Sequence, residues 1–262
     1  MTDSSTSVTS GPDNRVAQHY RTLLAAHYTW MLGGDIEATA RDQKTLLNDL
    51  LLSSGAARRG VAVDLGCGPG AQTLALADLG YDPVIAVDTD PTLLAELDTH
   101  ADNRPAIRTA EGGAVAAAVD LEPGSVAVAV CMGDTLLHLS SADAVTDMFT
   151  AVARALQPGG ALLLTYRALV DELHGTDRFI PVRSDPDRVM LCFLEFASPD
   201  VVEVHDVVHT RTPNGWTMTA SSYPKLRLSP SWVTDQLTAA GLEVGHHEQS
   251  PSGMWRTLGR RP

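Results

Sequence analysis

The densest chemistry in this sequence lies in eight residues, Val63-Asp64-Leu65-Gly66-Cys67-Gly68-Pro69-Gly70, which close a short apolar run and open a helix-like one. Glycines at a strand-to-helix turn adopt backbone angles closed to other residues and let a ligand approach the main chain. A lone Gly-x-Gly marks only a tight turn. Here, however, Asp64 precedes the glycines, Gly70 follows as a third, and Asp88 ends the next apolar run. In doubly wound folds an acid at that point grips a ribose diol, and ligands sit at the carboxyl ends of the strands. The dinucleotide fingerprint requires G-x-G-x-x-G, and position 71 is alanine. The spacing disfavours NAD and leaves a nucleoside ligand without a pyrophosphate.

Further polar side chains stand where a second molecule could meet that ligand. Arg167 closes an apolar strand, which is costly for a cation unless it is paired, and its fork suits a carboxylate or phosphate. It either binds an anionic substrate or forms an ion pair with a loop acid such as Asp171 or Glu172. Arg178, Arg183 and Arg188 cluster nearby in an otherwise acidic chain; most such charges are solvated, with one or two expected at a pocket mouth. His205 and His209 lie four apart on a strand and share a face. They could pair on a metal, but no third ligand has compatible spacing, so a polar pocket wall is the expectation and no metal site is. His246 and His247 read as strand surface.

These residues need elements to hold them. Helical periodicity predicts helices over residues 15–26 and 37–52, separated by Gly33-Gly34. From residue 61 short apolar runs alternate with helical ones, with strands expected at 61–65, 84–87, 106–109, 126–131 and 161–167. Helices are expected at 72–79, 91–98 and 142–156, with Pro91 in a first turn and Pro158-Gly159-Gly160 as a stop. Continuous apolar strands alternating with helices imply a parallel sheet covered on both faces. Three successive strands follow at 189–196, 201–210 and 216–222, the last two joined by the turn Pro213-Asn214-Gly215. A helix at 231–240 and strands at 242–247 and 254–259 complete the chain.

The 262 residues carry 32 acids against 19 bases, a formal charge of −13, which repels phosphate backbones and anionic lipid. Nucleic-acid and membrane partners are therefore disfavoured, and a small-molecule partner is expected. No apolar run approaches the ~20 residues of a membrane helix. The polar start, residues 1–14, lacks the basic and apolar segments of a secretory signal and reads as a disordered tail. Three cysteines, Cys67, Cys131 and Cys192, form no disulfide framework or metal spacing, so reduced thiols and a cytoplasmic location are expected.

The pattern D-x-G-x-G-x-G, with an acid some two dozen residues on, resembles class I S-adenosylmethionine (SAM)-dependent methyltransferases. The resemblance implies an α/β, doubly wound, mostly parallel seven-stranded Rossmann-like sheet, with an N-terminal helical cap and a small antiparallel β addition. It implies one methyltransferase domain over residues 15–262: a lid at 15–55, a SAM-binding core at 56–167, substrate-side strands at 168–230, and a C-terminal helix and strands at 231–262. It also implies roles. Gly66, Gly68 and Gly70 line the methionine and ribose portion of SAM, Asp64 orients the loop from beneath, and Asp88 accepts from both ribose hydroxyls. Thr89 and Leu93 flank the adenine, with Glu111 and Gly112 beside it, although Glu111 reads equally well as a solvated loop acid.

Residues 130–139 (VCMGDTLLHL) are similar to a stretch of glycine and sarcosine N-methyltransferases. Cys131, Met132, Gly133 and His138 then stand where methyl donor and acceptor meet, His138 as hydrogen-bond partner of the methionine end or as proton acceptor. Thr165-Tyr166-Arg167 resembles that family's carboxylate-binding strand, Ser222-Tyr223-Pro224 its Tyr-Tyr-Pro near the active site, and residues 27–35 its lid. Tyr20, Tyr28 and Trp30 could close over the sulfonium, whose charge favours aromatic faces, though Trp30 reads better as core of the cap. The lid arginine that holds the SAM carboxylate in that family has no clear counterpart; Arg41 and Lys44 are the candidates. His138, Arg167 and Tyr223 are thus the expected catalytic residues. The expected reaction methylates an amine or hydroxyl of a small anionic metabolite and releases S-adenosylhomocysteine (SAH). O-methylation of a larger natural product and SAM binding without catalysis stay open, and so does a homo-oligomer in which one subunit lends its lid to another.

Overall fold

Four buried apolar runs and a more polar edge strand pair in parallel, and two later strands complete the same sheet. The computed structural model describes residues 12–262, with side chains from Arg15 onward. Its strands β1 (Val61–Leu65), β2 (Val84–Asp88), β3 (Ile107–Glu111), β4 (Val126–Cys131) and β5 (Leu156–Tyr166) alternate with helices α4 (Ala71–Asp78), α5 (Pro91–Ala101), α6 (Ala114–Asp120) and α7 (Ala142–Ala155). With β10 (Glu243–Gln249) and β11 (Trp255–Arg260) the sheet order is β10-β11-β5-β4-β1-β2-β3, β11 running antiparallel to β5. Strand order reverses between β1 and β4, the switch point at which such sheets open a crevice at their carboxyl ends.

Local chemistry sets the helix starts that face this crevice. Asp90 caps α5 by accepting from the N–H groups of Thr92 and Leu93, and Pro91 follows in the first turn. Ser141 caps α7, whose inward face buries Val145, Met148, Phe149 and Val152 against the sheet. Within the main sheet and its helices, one helix and one strand depart most from the sequence reading. Helix α6 was not anticipated, because its Ala-Val run follows two glycines and shows no polar face. Strand β5 begins five residues early, since Leu156 already pairs with Val126 before a register shift at the Pro-Gly-Gly segment.

The N-terminal segment expected to form the lid is one broken helix followed by a second. Residues 1–11 of the expected tail lie outside the described residues, and α1 (Pro12–His19) already starts at Pro12. A π-helical turn over Tyr20–Leu24 joins it to α2 (Ala25–Met31). Such turns widen a helix locally and are frequent at functional sites; this one carries Tyr20. Helix α3 (Ile36–Ser53), capped by Asp35, buries Ile36, Leu47 and Leu51 against the core.

The antiparallel addition is a separate four-stranded sheet, β6-β7-β8-β9, from Phe179–Ser184, Arg188–Phe196, Val201–Thr212 and Gly215–Leu226. β6 is a fourth strand where three were expected; Pro181 fits there because β6 is an edge strand, with a register shift between Pro181 and Arg183. Along β8 burial alternates, so Val202, Val204, Asp206 and Val208 face inward. That face packs on the lid through Leu23, Leu24, Trp30, Met190 and Val208. Helix α8 (Pro230–Ala239), capped by Ser229, leads into β10. Among the described residues no helix is long and apolar enough to cross a membrane.

Candidate active site

The loop after β1 is held from both sides. Asp64, buried beneath it, accepts from the Thr73 hydroxyl at 2.7 Å; burial raises its carboxyl to about 7. Gly66 and Gly70 both have positive φ, and a Cβ at either would stand 2.2 Å from a side-chain carbon, of Thr135 and Leu97 respectively. Both positions thus require glycine for the turn and for packing; Gly70 lies in no cavity wall. Asp88, at the tip of β2, accepts from the N–H of Gly68 at 2.8 Å and of Asp90 at 2.9 Å, and burial pushes its pKa up.

Three cavities open around this loop. The first, about 320 Å³, has Tyr20, Tyr28, Gly66, Gly68, Asp88, Thr89, Gly112 and His138 in its wall. The second, about 250 Å³, lies on the other side of Gly66 and touches Cys67, Met132, Gly133, Thr165 and Arg256. The third, about 490 Å³, is bounded by Gly133, Asp134, His138, Arg167, Asp206, Tyr223 and Lys225. Tyr28 belongs to all three walls, so its ring marks the point where a ligand spanning the first two would face a molecule in the third.

Several expected contacts lie elsewhere. Leu93 is fully buried as α5 core, because the Asp90 cap turns it inward. Cys131 is likewise sealed into the core, and burial pushes its thiol and that of Cys67 upward, away from thiolate reactivity. Glu111 is exposed at the end of β3 and is in no cavity wall, which matches the solvated alternative. Trp30 is buried as cap core: its indole N–H donates to Asp185, and Arg188 lies 4.5 Å over its ring. Arg183 also reaches Trp30 and donates to the Gly33 carbonyl, while Arg178 lies over Phe193. Arg183 and Arg188 therefore tie the N-terminal helices to the second sheet, Arg178 packs on Phe193 of β7, and none of the three is in the wall of these cavities. His205 pairs with Glu195 on the outer face of β8, and His209 lies on that same face, so neither borders the 490 Å³ cavity.

Charge in the third cavity is organised by Asp134, a buried residue with φ of 73° that sequence reasoning passed over. Its carboxylate accepts from the Arg167 backbone N–H at 2.8 Å, the Arg167 guanidinium at 2.6 Å and the Lys225 ammonium at 3.0 Å. Burial opposes its charge, yet Lys225 and Arg167 together hold its pKa well below the usual carboxylate range. Arg167 is thus paired, with Asp134 in place of Asp171 or Glu172. Arg167 and Lys225 share Asp134, and a second buried carboxylate, Asp206, stands in the same wall, so the charged side chains of this cavity balance two against two.

Behind that group lie His19 and Asp206, also unanticipated, joined at 3.0 Å and both buried. The His19 ring stacks on Tyr223 with centroids 4.2 Å apart. His138 stands edge-on to both Tyr20 and Tyr223, and its Nε2 has no partner among the described residues. Burial, with Lys225 nearby, lowers its pKa to about 3. A ring that weakly basic stays neutral at physiological pH, which favours its hydrogen-bonding role over proton acceptance. Burial likewise keeps Tyr20, Tyr28 and Tyr223 protonated.

Residues 62–160, which run from β1 into β5, match the model of a family described as a methyltransferase domain. No curated protein sequence matches the chain. Among solved structures, the chain is similar to a SAM-dependent methyltransferase from Clostridium acetobutylicum, 15% identical over 95% of this chain and 98% of that one, with a TM-score of 0.71. It is similar to the CcbJ methyltransferase from Streptomyces caelestis, 21% identical over 96% and 98%, TM-score 0.69. It is also similar to CalS10, an amino pentose methyltransferase of calicheamicin biosynthesis from Micromonospora echinaspora, 16% identical over 91% and 97%, TM-score 0.68. The chain has the Rossmann-like fold of these methyltransferases over nearly its whole length, and residues 62–160 of it match the methyltransferase-domain model.

Proposed function

We propose that this enzyme methylates an amine on a mid-sized metabolite that also bears an anionic group, using SAM bound across the first two cavities. The single observation that carries the reading is the meeting of three cavities at Tyr28, with the half-exposed guanidinium of Arg167 on the acceptor side. The residues fit SAM: Asp88 and Thr89 meet a ribose, Gly112 leaves room beside a purine, and Tyr28 offers a π-face to a sulfonium. SAM supplies a methyl group already bonded to a good leaving group, so the protein's part is orientation and exclusion of water.

The acceptor occupies the 490 Å³ cavity, a volume in the range of sites for drug-sized ligands, about 300–1,000 Å³. That size argues for an acceptor larger than glycine. Arg167, half exposed and with nitrogens left over from Asp134, binds its anionic group. The protonated hydroxyl of Tyr223 and neutral His138 position the nucleophile beside Tyr28. An amine arriving as ammonium must shed a proton, and Asp206, backed by His19, is the buried group in the wall that can take it. Nitrogen as the methylated atom is supported by the likeness of residues 130–139 to glycine and sarcosine N-methyltransferases and by the amino pentose substrate of one structural relative. A cytoplasmic site of action agrees with the free thiols.

The test is incubation of the purified enzyme with SAM and a panel of small molecules. The panel comprises amines with and without a carboxylate or phosphate, and the matching alcohols and phenols. SAH release and mass spectrometry of the acceptor are the readouts. Methylation confined to anionic amines is expected. Turnover of alcohols or phenols alone would overturn the choice of atom, and SAM binding with no turnover across the panel would favour a non-catalytic role.

A further inference from the structure

The second cavity has a feature that the methyl-transfer reading does not use. Arg256 is the only charged residue in its wall among the described residues. It sits on β11 directly across from Thr165 of β5, at the carboxyl edge of the sheet, and its side chain is one-third exposed. Its nearest acid, Glu248, is 4.0 Å away, half exposed, and closer to His246 at 3.3 Å. The guanidinium is therefore not committed to a protein partner. Across the cavity stands Gln43 on α3, whose side-chain oxygen is buried without a hydrogen-bond partner among the described residues. Ser250 and Ser252, whose hydroxyls are hydrogen-bonded to each other at 2.9 Å, belong to the same wall. A cation, an unpartnered amide and two hydroxyls within about 250 Å³ suit a small zwitterion with a carboxylate and an ammonium. The two candidates from the lid do not reach it: Arg41 is exposed, and neither Arg41 nor Lys44 belongs to a cavity wall.

We propose that Arg256 is the counter-ion for the amino-acid carboxylate of SAM, and that Gln43 accepts from its ammonium. The proposal rests on the reading that SAM spans the first two cavities past Gly66, which both walls share. In this enzyme the carboxylate is then gripped from the C-terminal strand of the sheet and not from the N-terminal lid. The carboxylate is thus held from the central sheet and the ammonium from α3.

The test is calorimetric binding of SAH and of 5′-methylthioadenosine, which keeps the nucleoside and sulfur but lacks the amino-acid tail. Arg256→Ala should weaken SAH about 10- to 100-fold, the range of a charge-assisted hydrogen bond, and leave methylthioadenosine within about twofold of wild type. Arg256→Lys, which keeps the charge and loses the fork, should show an intermediate loss, and Gln43→Leu should weaken only SAH. Methylthioadenosine binding doubles as the folding control. Unchanged SAH affinity, or equal losses for both ligands, would overturn the proposal while the methyl-donor reading stands. Wild-type protein that binds neither molecule would overturn both.

Discussion

Arg167→Ala separates a substrate-binding arginine from a scaffold one, because the geometry assigns the two roles different costs. Asp134 keeps two partners when the guanidinium is removed: the Arg167 backbone N–H at 2.8 Å and Lys225 at 3.0 Å. The Arg167 side chain is 54% exposed, so its pairing with Asp134 is in the range of a solvent-screened ion pair, about 0–1 kcal/mol. Lys225 is only 12% exposed against a carboxylate that is 4% exposed, and removing it strips a buried anion of its main counter-charge, a change that costs about 3–5 kcal/mol. Urea unfolding should therefore show a loss below about 1 kcal/mol for Arg167→Ala and a several-fold larger one for Lys225→Met. Binding tells the complementary story. A charged hydrogen bond to the acceptor is worth about 1.5–3 kcal/mol, so kcat/KM for an anionic amine should fall roughly 10- to 150-fold in Arg167→Ala. SAH affinity should stay within about twofold, because Arg167 is outside the first two cavities. If Arg167→Ala unfolds as easily as Lys225→Met while acceptor kinetics stay at wild type, the arginine is scaffold and the case for an anionic acceptor falls.

Three other substitutions probe the donor side and the ring at the junction. Asp88→Ala should weaken SAH by at least ~1 kcal/mol in calorimetry, since it frees the Gly68 and Asp90 N–H groups as well as the ribose contact; unchanged affinity would refute the ribose assignment. Asp64 has a carboxyl raised to about 7 by burial, against an unfolded value of about 3.9. The folded state holds this proton more tightly, so the group's contribution is full below the unfolded pKa and is lost as pH rises to about 7. Asp64→Asn, which can still accept from Thr73, should gain stability relative to wild type between about pH 4 and 7 in denaturant titrations; a difference that is flat with pH would contradict a raised carboxyl. His138→Ala should lower turnover without moving the limbs of the pH–rate profile, because a ring with a pKa of about 3 is neutral throughout the assay range; loss of an acidic limb would show that the imidazole titrates in the mechanism.

The donor half of the site was legible because its determinants are local. The turn after β1 demands glycine at Gly66 and Gly70 through φ and close neighbours, and an acid at the end of β2 is one strand away in both sequence and space. Leu93 illustrates the limit of that reasoning. Its distance from Asp88 suits an adenine contact, but the Asp90 cap sets the rotation of α5, and that rotation points the side chain into the core. Strand positions were equally legible wherever apolar runs were continuous. β6 was not, because its proline and its charged Arg183 are tolerated at a sheet edge, and which strand becomes an edge depends on the pairing of all four.

The acceptor half depends on pairs that meet across long stretches of chain. His19 and Asp206 are 187 residues apart, and Lys225 and Asp134 are 91 apart. One signal was nonetheless present in β8. In Val202, Val204, Asp206 and Val208 an acid replaces valine on the inward side of a strict alternation, and a carboxylate on a buried face must find a hydrogen-bonding partner. The two histidines of that strand drew attention to the opposite, outward face. The more general rule is to ask first which charge breaks a buried periodicity, and only afterwards which residues have catalytic side chains. Applied to α1, the same question singles out His19, a buried imidazole on a short polar helix. That helix is ordered against the second sheet by Arg15 and Glu203 as well as by His19 and Asp206. Asp206 is thus both the partner of His19 on α1 and part of the wall of the 490 Å³ cavity, so one buried pair ties α1 to the second sheet and borders that cavity.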